Sequence, residues 1–501
     1  MKRLVILGGG TAGTMVANKL RAAYSQDELA LTVVDLDDQH HYQPGYLFLP
    51  FGTYRAQQLV RSRHSFLPDG VDLVLCEIDR VDAPFKTVYL TDGRALSYDY
   101  LIIATGVQPR PEATTGGDGP EVGVSVHSFY TLEAAKELAE ALRRFRGGKL
   151  VVHITDMPIK CPVAPLEFTF LAEEWLTKHG IREKTELTYV TPLDGAFTKP
   201  VASRELGTML SEKGIHLETD FTIERIDNDA KEIVSYDDRR VPFDLLVTIP
   251  LNLGPDYIAR SGLGDDLNLV PCDQQTMQAL AHPDIFVLGD GGTLLTSKAG
   301  SVAHFAVDIF MENFPAHLAG AELTHGFDGH ANCFIESGYG KGLLLGFNYD
   351  TQPYTGTFPA PLIGPLALLK ESRLNHLAKL AFRWVYWNML LRGRPLPFTN
   401  KMSLVGKRVE DAGSASAQPM PAKASAPAPL AASPKPAPVR KPAPARPSIG
   451  KPAAKPSPTP RPSAGPATPT PSGPLPPDPR KGVDSTTDPS PVLPGPIKPT
   501  F

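Results

Sequence analysis

The sequence is poor in cysteine. Four residues in a chain of 501 are too few for a disulfide scaffold, so any cysteine chemistry is expected to be catalytic rather than structural. Long apolar runs are missing as well: none reaches the ~18 residues that a membrane-crossing helix requires. The 42% hydrophobic content still supplies a sizeable core for two or three domains. Met1, Lys2 and Arg3 lead straight into a strand-like run at 4–7, so no cleavable signal peptide is expected. No metal site and no nucleic-acid partner are inferred. Aromatic residues nearly vanish after Asp411, where Pro, Ala, Ser and Lys dominate and about half of the 51 prolines lie. Such a segment cannot bury enough apolar area to offset its ordering entropy, and 409–501 is read as a disordered tail, partly polyproline II. Residues 411–501 hold 11 Lys/Arg against 4 Asp/Glu, or +7, so the rest must carry −11 to give the chain's −4. A basic tether suits an anionic lipid surface or an acidic partner; the plainer alternative is a solubilising linker.

Glycines cluster near the start. Residues 5–13 read VILGGGTAG, followed by a helical stretch at 14–23 and a second strand at 31–34 that ends in Asp35. Gly8 permits a tight turn, Gly10 lets the backbone approach a pyrophosphate, and Gly13 lets helix and strand pack closely. The helix N-terminus then offers unpaired N–H groups and its positive dipole to the phosphates. Asp35 stands where a carboxylate accepts hydrogen bonds from ribose hydroxyls. A lone GxGxxG is weak, but strand, glycine turn, helix, strand and acid in this order predict a dinucleotide site.

Two later segments repeat a buried strand that ends in small residues: 100–106, YLIIATG, with Ala104, Thr105 and Gly106, and 284–290, DIFVLGD, with Gly289 and Asp290. With the N-terminal turn they resemble the FAD-binding signature of two-dinucleotide-domain flavoproteins. The resemblance implies FAD as cofactor and Asp290 as the ligand of its ribityl chain. It also implies that the loop 42–46, YQPGY, with Tyr42 and Pro44, reaches toward the isoalloxazine. Lys298 is a candidate to open a helix near the flavin pyrimidine, or else a surface charge.

The second nucleotide-binding turn is absent. After the strand-like 149–154, KLVVHI, comes TDMPIKCP, which puts Cys161 where a glycine turn would cradle a second pyrophosphate. Pro158, Pro162 and Pro165 remove N–H donors from that turn, and a helix is predicted over 168–178. Electrons are therefore not expected to come from a nicotinamide. A cysteine in that place points instead to a sulfur compound.

The segments 159–170, IKCPVAPLEFTF, 332–341, NCFIESGYGK, and 347–350, FNYD, resemble the sulfide:quinone oxidoreductase family over roughly residues 1–405. The resemblance implies sulfide and quinone as substrates, Cys161 and Cys333 as redox cysteines meeting on one face of the flavin, and Glu167 as an acid–base group at the sulfur site. Members often carry a histidine after the next strand, whereas 189–198, YVTPLDGAFT, has none. Cys76 and Cys272 read as packing residues.

Between residues 366 and 391, apolar Leu374, Leu377, Ala381, Trp384 and Val385 recur at helical spacing, with Arg373, His376, Lys379 and Arg383 on another side. With Tyr386 and Trp387 the stretch reads as an amphipathic helix lying in the headgroup region of a membrane. The plainer reading is a helix packed on the flavin domain or on a second copy. The family resemblance implies a quinone pocket here, with Phe334, Tyr339, Phe347 and Phe382 as aromatic neighbours of the ring. The expected fold is α/β: a FAD-binding domain over 1–110 and 271–325, a second Rossmann-like domain over 111–270 carrying Cys161, a membrane-docking region over 326–408 with Cys333, and the tail. The expected location is peripheral on an inner or energy-coupling membrane, and a homo-oligomer is compatible with all of this. A sulfide dehydrogenase reducing a cytochrome c, a type 2 NADH:quinone oxidoreductase and a flavin-bearing adaptor acting through its tail are the alternatives.

Overall fold

A computed structural model describes residues 1–358, 364–396, 401–404 and 407; the stretch 409–501 read as a tail lies outside the described residues. The first nucleotide-binding unit opens with β1 (Lys2–Leu7), α1 (Thr11–Ala23), β2 (Leu29–Asp35), β3 (Val71–Leu75) and β4 (Tyr100–Ile103). Next come β5 (Gly148–Ile154), α2 (Ala164–Lys178), β6 (Thr185–Val190), β7 (His216–Glu218) and β8 (Leu245–Ile249). The chain then adds β9 (His282–Val287) and α3 (Gly300–Leu318), and ends its ordered course with β10 (Ala331–Gly338), β11 (Lys341–Phe347), β12 (Gly356–Phe358), β13 (Leu366–Leu368) and α4 (Arg373–Val385).

Two parallel sheets carry the molecule. In the first the order is β9-β4-β1-β2-β3, with a short antiparallel strand, Gln278–Ala279, outside β9. In the second, Val126–His127 flanks β8-β5-β6-β7. Residues 4–7 of β1 and 100–103 of β4 are all buried, as expected of parallel strands covered on both faces, whose sequences read as unbroken apolar runs. In each sheet the chain runs outward in one direction from its central strand and returns on the other side of it. The loop after β1, and likewise the loop after β5, therefore emerges at the carboxyl edge where strand order reverses, the place where such sheets expose loops to ligands. The first of these loops holds the glycine turn. The second holds Cys161.

A third sheet, β10-β11-β13-β12, lies beyond, with β10 packed on α2 and α4 packed on β11. The Ser372 hydroxyl caps α4 by accepting from Asn375 N–H, and the Asn375 amide binds the carbonyls of Gly342, Ala367 and Lys370. The sequence reading of this region needs two corrections. Leu366–Leu368 is strand rather than helix, because its carbonyl and amide edge completes the third sheet. Tyr386 and Trp387 are not interfacial rings: they lie in a π-helical turn, Tyr386–Leu390, buried against His40, Tyr42 and Phe66. Among the described residues no helix is long and apolar enough to cross a membrane.

Candidate functional site

The glycine turn is built as its spacing predicts. Gly8 sits at φ +94, where a side chain would strike the Ala104 carbonyl, and a Cβ on Gly13 would stand 1.8 Å from the Gly8 carbonyl oxygen. At Gly10 a Cβ would meet nothing within 4 Å, so that stretch of backbone is open to an incoming group. Gly10 is also the N-cap of α1 and carries no capping side chain, which leaves the first N–H groups of the helix free for phosphate oxygens. Asp35 closes β2 and accepts from Gly9 N–H at 2.6 Å and from the Arg63 guanidinium at 3.1 Å. Burial raises its carboxyl while Arg63 opposes the shift. Thr105 at the end of β4 bonds the Tyr257 hydroxyl, and Gly106 takes a left-handed turn. Gly289, at φ +89, introduces Asp290, a carboxylate held among the cations Lys298 and Lys160. No donor among the described residues reaches that carboxylate, which leaves it free for hydroxyl groups. Tyr42 is buried, and with Pro44 it forms the start of a 3-10 turn. These features fit a flavin dinucleotide: open backbone for the pyrophosphate, and Asp35 and Asp290 as acceptors for its two sugar-like parts.

Lys298 is neither a surface charge nor part of a helix. It lies two residues before α3 and is buried, and its ammonium donates to the Asp290 and Gly292 carbonyls at 2.6 and 3.1 Å. Its backbone carbonyl accepts from Cys161 N–H at 2.8 Å. This bond ties the loop of the second sheet to the last nucleotide motif of the first, which brings Cys161 within electrostatic reach of Asp290.

Cys161 occupies a glycine's conformation as well as a glycine's place, with φ +86. Such a backbone is rare and costs a non-glycine residue about 1–3 kcal/mol. It is held by the bond to Lys298 and by two donors to its carbonyl, Ala164 N–H at 2.8 Å and Tyr130 hydroxyl at 3.3 Å. Glu167 follows one helical turn later in α2 and is 1% exposed. Its Oε1 accepts from Glu336 N–H at 2.7 Å and from the Lys379 ammonium. Glu336 stands on β10, three residues beyond Cys333. The first turn of α2 is thereby pinned to the strand that carries the second cysteine, and Cys161, Cys333 and Glu167 share one buried neighbourhood.

Both cysteines are free thiols. Burial pushes the Cys161 thiol up to about 12, with Glu167 adding to the rise and Lys379 opposing it. Cys333 is pushed up further, by burial first and then by Cys161. Neither thiol ionises readily without a base beside it. Glu167 is that base: burial raises its carboxyl to about 7 against the pull of Lys379, which places it where a proton acceptor works best near neutral pH.

Lys379, Glu336 and His376 did not emerge from the sequence as site residues. Lys379 and His376 had been assigned to a lipid-facing cationic side of α4, but both turn inward, Lys379 onto Glu167 and the Phe334 carbonyl (3.1 Å) and His376 onto Glu336 (2.8 Å). The face left outside is apolar: Leu374, Leu377 and Trp384 are 51%, 57% and 63% exposed. The one available hint was the regular apolar stripe at 374, 377, 381 and 384, which left the cations to face the protein. The four aromatic quinone candidates are not brought together. Phe334 packs with Leu344 and Leu368, in a different cluster from Cys333. Phe347 stacks edge-on to Phe197. Tyr339, on the β10–β11 turn, is 45% exposed and bonds Glu173. Phe382 lies half-buried on α4. Cys272 is buried beside Thr293, and Cys76 is partly exposed. Among the described residues no three His, Cys, Asp or Glu side chains gather as metal ligands.

The model of the pyridine nucleotide-disulphide oxidoreductase family matches residues 2–306. Mitochondrial sulfide:quinone oxidoreductases of Dictyostelium discoideum and Mus musculus are similar to this chain, at 28% identity over 400 residues and 26% over 397; each match covers 78% of this chain and 86% of the relative. The X-ray structure of the sulfide:quinone oxidoreductase from Aquifex aeolicus shares the fold, with a TM-score of 0.66 at 20% identity, covering 79% of this chain and 92% of that one.

Proposed function

The chain belongs to the pyridine nucleotide-disulphide oxidoreductase family, and on that premise we propose that it is an FAD-dependent sulfide:quinone oxidoreductase that works through Cys161 and Cys333. The observation that carries the reading is the convergence of two buried cysteines, 172 positions apart in the sequence, with a carboxylate that titrates near neutrality. Gly8, Gly10, Gly13, Asp35 and Asp290 would hold the FAD, which when bound supplies a two-electron acceptor. Sulfide near neutral pH is largely the anion HS⁻. It attacks a disulfide or sulfur-bridged form of the cysteine pair, one cysteine leaves as a thiolate, and the other keeps the new sulfur as a persulfide. Glu167 takes the S–H proton, since a buried thiol or persulfide cannot shed it to water directly. Repetition lengthens the sulfur chain until polysulfide or sulfane sulfur leaves.

The loop after β5 supports this reading over the nicotinamide alternative. The helix that would receive a second pyrophosphate begins buried, with Pro165 lacking an N–H and Glu167 placing a carboxylate in the first turn, and both disfavour a phosphate there. The apolar stripe on α4 suits a lipid surface as the source of quinone; an exported enzyme reducing a cytochrome c has no use for it. The test is to mix the yellow protein anaerobically with sulfide and, separately, with NADH. Sulfide alone should bleach the flavin, and a short-chain quinone should restore it. Bleaching by NADH would favour the NADH:quinone alternative, and bleaching without recovery on quinone the cytochrome-linked one.

A further inference from the structure

The charged groups around Glu167 continue outward, away from the cysteines. Glu336 is 1% exposed; its Oε2 lies 2.8 Å from His376 Nδ1 on α4, while its Oε1 is buried without a hydrogen-bond partner. Its backbone N–H binds Glu167, and Lys379 feels both carboxylates, Glu167 more strongly. His376 keeps 23% of its side chain exposed, against 12% for Lys379 and 1% for each acid. The set therefore runs from the sulfur site to solvent beside the apolar face of α4. Glu174, Tyr54, Arg383 and the Cys161 thiol complete its ionisable surroundings. Two buried acids around one lysine, with one oxygen unsatisfied, are more than an ion pair needs for stability, because each buried charge carries a desolvation cost of several kcal/mol.

We propose that Glu167, Lys379, Glu336 and His376 form a proton relay that carries the proton released at the cysteines to the surface at α4. The proposal rests on the sulfide-oxidising reading. Oxidising one HS⁻ to sulfane sulfur gives up two electrons and one proton. The S–H bond breaks as an O–H bond forms on Glu167, whose Oε1 holds both of its donors and whose Oε2 is free to receive. Lys379 passes a proton to the Glu336 side and is refilled from Glu167. Glu336 hands its proton to His376, which releases it to water. A single water on Glu336 Oε1 satisfies that orphan atom and bridges toward Lys379.

The test records flavin bleaching by sulfide and proton release to a pH-indicator dye in the same stopped-flow shot. In the unaltered protein the two should rise together. In His376→Ala, proton release should lag and bleaching slow by about a hundredfold, the lower end of what a positioned acid–base group supplies. Imidazole should restore both saturably, since the lost ring was partly exposed. His376→Gln keeps a donor to Glu336 but cannot shuttle protons; it should be slow and unrescued, and it covers the case in which the alanine variant misfolds. The relay is refuted if either variant, with normal flavin content and circular dichroism, releases its proton at the original rate, or if His376→Ala is slow and imidazole leaves it so. If sulfide fails to bleach even the unaltered protein, the proposed activity is at fault.

Discussion

Replacing Lys379 by methionine separates an electrostatic role from a structural one. Glu167 is held at about 7 by two opposed effects, burial raising its carboxyl and Lys379 lowering it. An opposite charge at this range is worth about 1–3 pKa units, so without Lys379 the group should titrate about that much higher. A carboxylate forced to stay charged after losing its partner would destabilise the fold by about 3–5 kcal/mol. It need not stay charged. At pH 7 a group that titrates near 7 is already half protonated, and completing its protonation costs only RT ln 2, about 0.4 kcal/mol. Losing the hydrogen bond to the Phe334 carbonyl adds about 1 kcal/mol, partly offset by removing a buried ammonium. Stability at pH 7 should therefore fall by only about 1–2 kcal/mol, while the acid limb of sulfide-dependent bleaching moves toward alkaline pH by about 1–3 units. The sign follows from the base being the ionised form: a higher pKa leaves less of it at pH 7, and activity returns as pH rises. Stability runs the other way. A carboxyl raised above its ordinary 4.5 binds its proton more tightly when folded, so unfolding free energy grows as pH falls from the folded pKa toward that value. Urea unfolding at pH 7 and stopped-flow bleaching across pH measure the two. A loss of about 3–5 kcal/mol with an unmoved pH profile would refute the reasoning.

Cys161→Ser and Cys333→Ser should each keep a normal flavin spectrum and lose bleaching by sulfide. A variant that still bleaches at the original rate removes that cysteine from the mechanism. Gly13→Ala drives a methyl group into the Gly8 carbonyl, so the protein should purify largely colourless; a full complement of FAD would show that the turn can yield. Leu377→Glu and Trp384→Glu place charge on the exposed stripe of α4. Each should weaken sedimentation with anionic lipid vesicles by about tenfold or more, since a buried Leu or Trp contributes about 1.5–3 kcal/mol, and leave bleaching by sulfide in solution unchanged. Unaltered vesicle binding would mean that another surface meets the lipid.

The nucleotide-binding parts were legible because their requirements are local. A glycine at φ +94, with no room for a Cβ, is demanded by the backbone of residues 7–13 and their immediate strand partners, and the spacing of three glycines reports it directly. Cys161 was legible for the same reason: it stands in a turn where a glycine is expected, and its φ of +86 is a glycine's. Its link to Cys333 was carried by family resemblance, because nothing local relates two strands 172 positions apart. Helix α4 marks the boundary. Its periodicity established that one face is apolar and another cationic, as amphipathicity always can. It could not say which of the two faces the protein. That was decided by two buried carboxylates, Glu167 and Glu336, on other elements. Leaving them unpaired in a low-dielectric interior costs more than burying Lys379 and His376 beside them, so the cations turn inward and the apolar stripe is left outside.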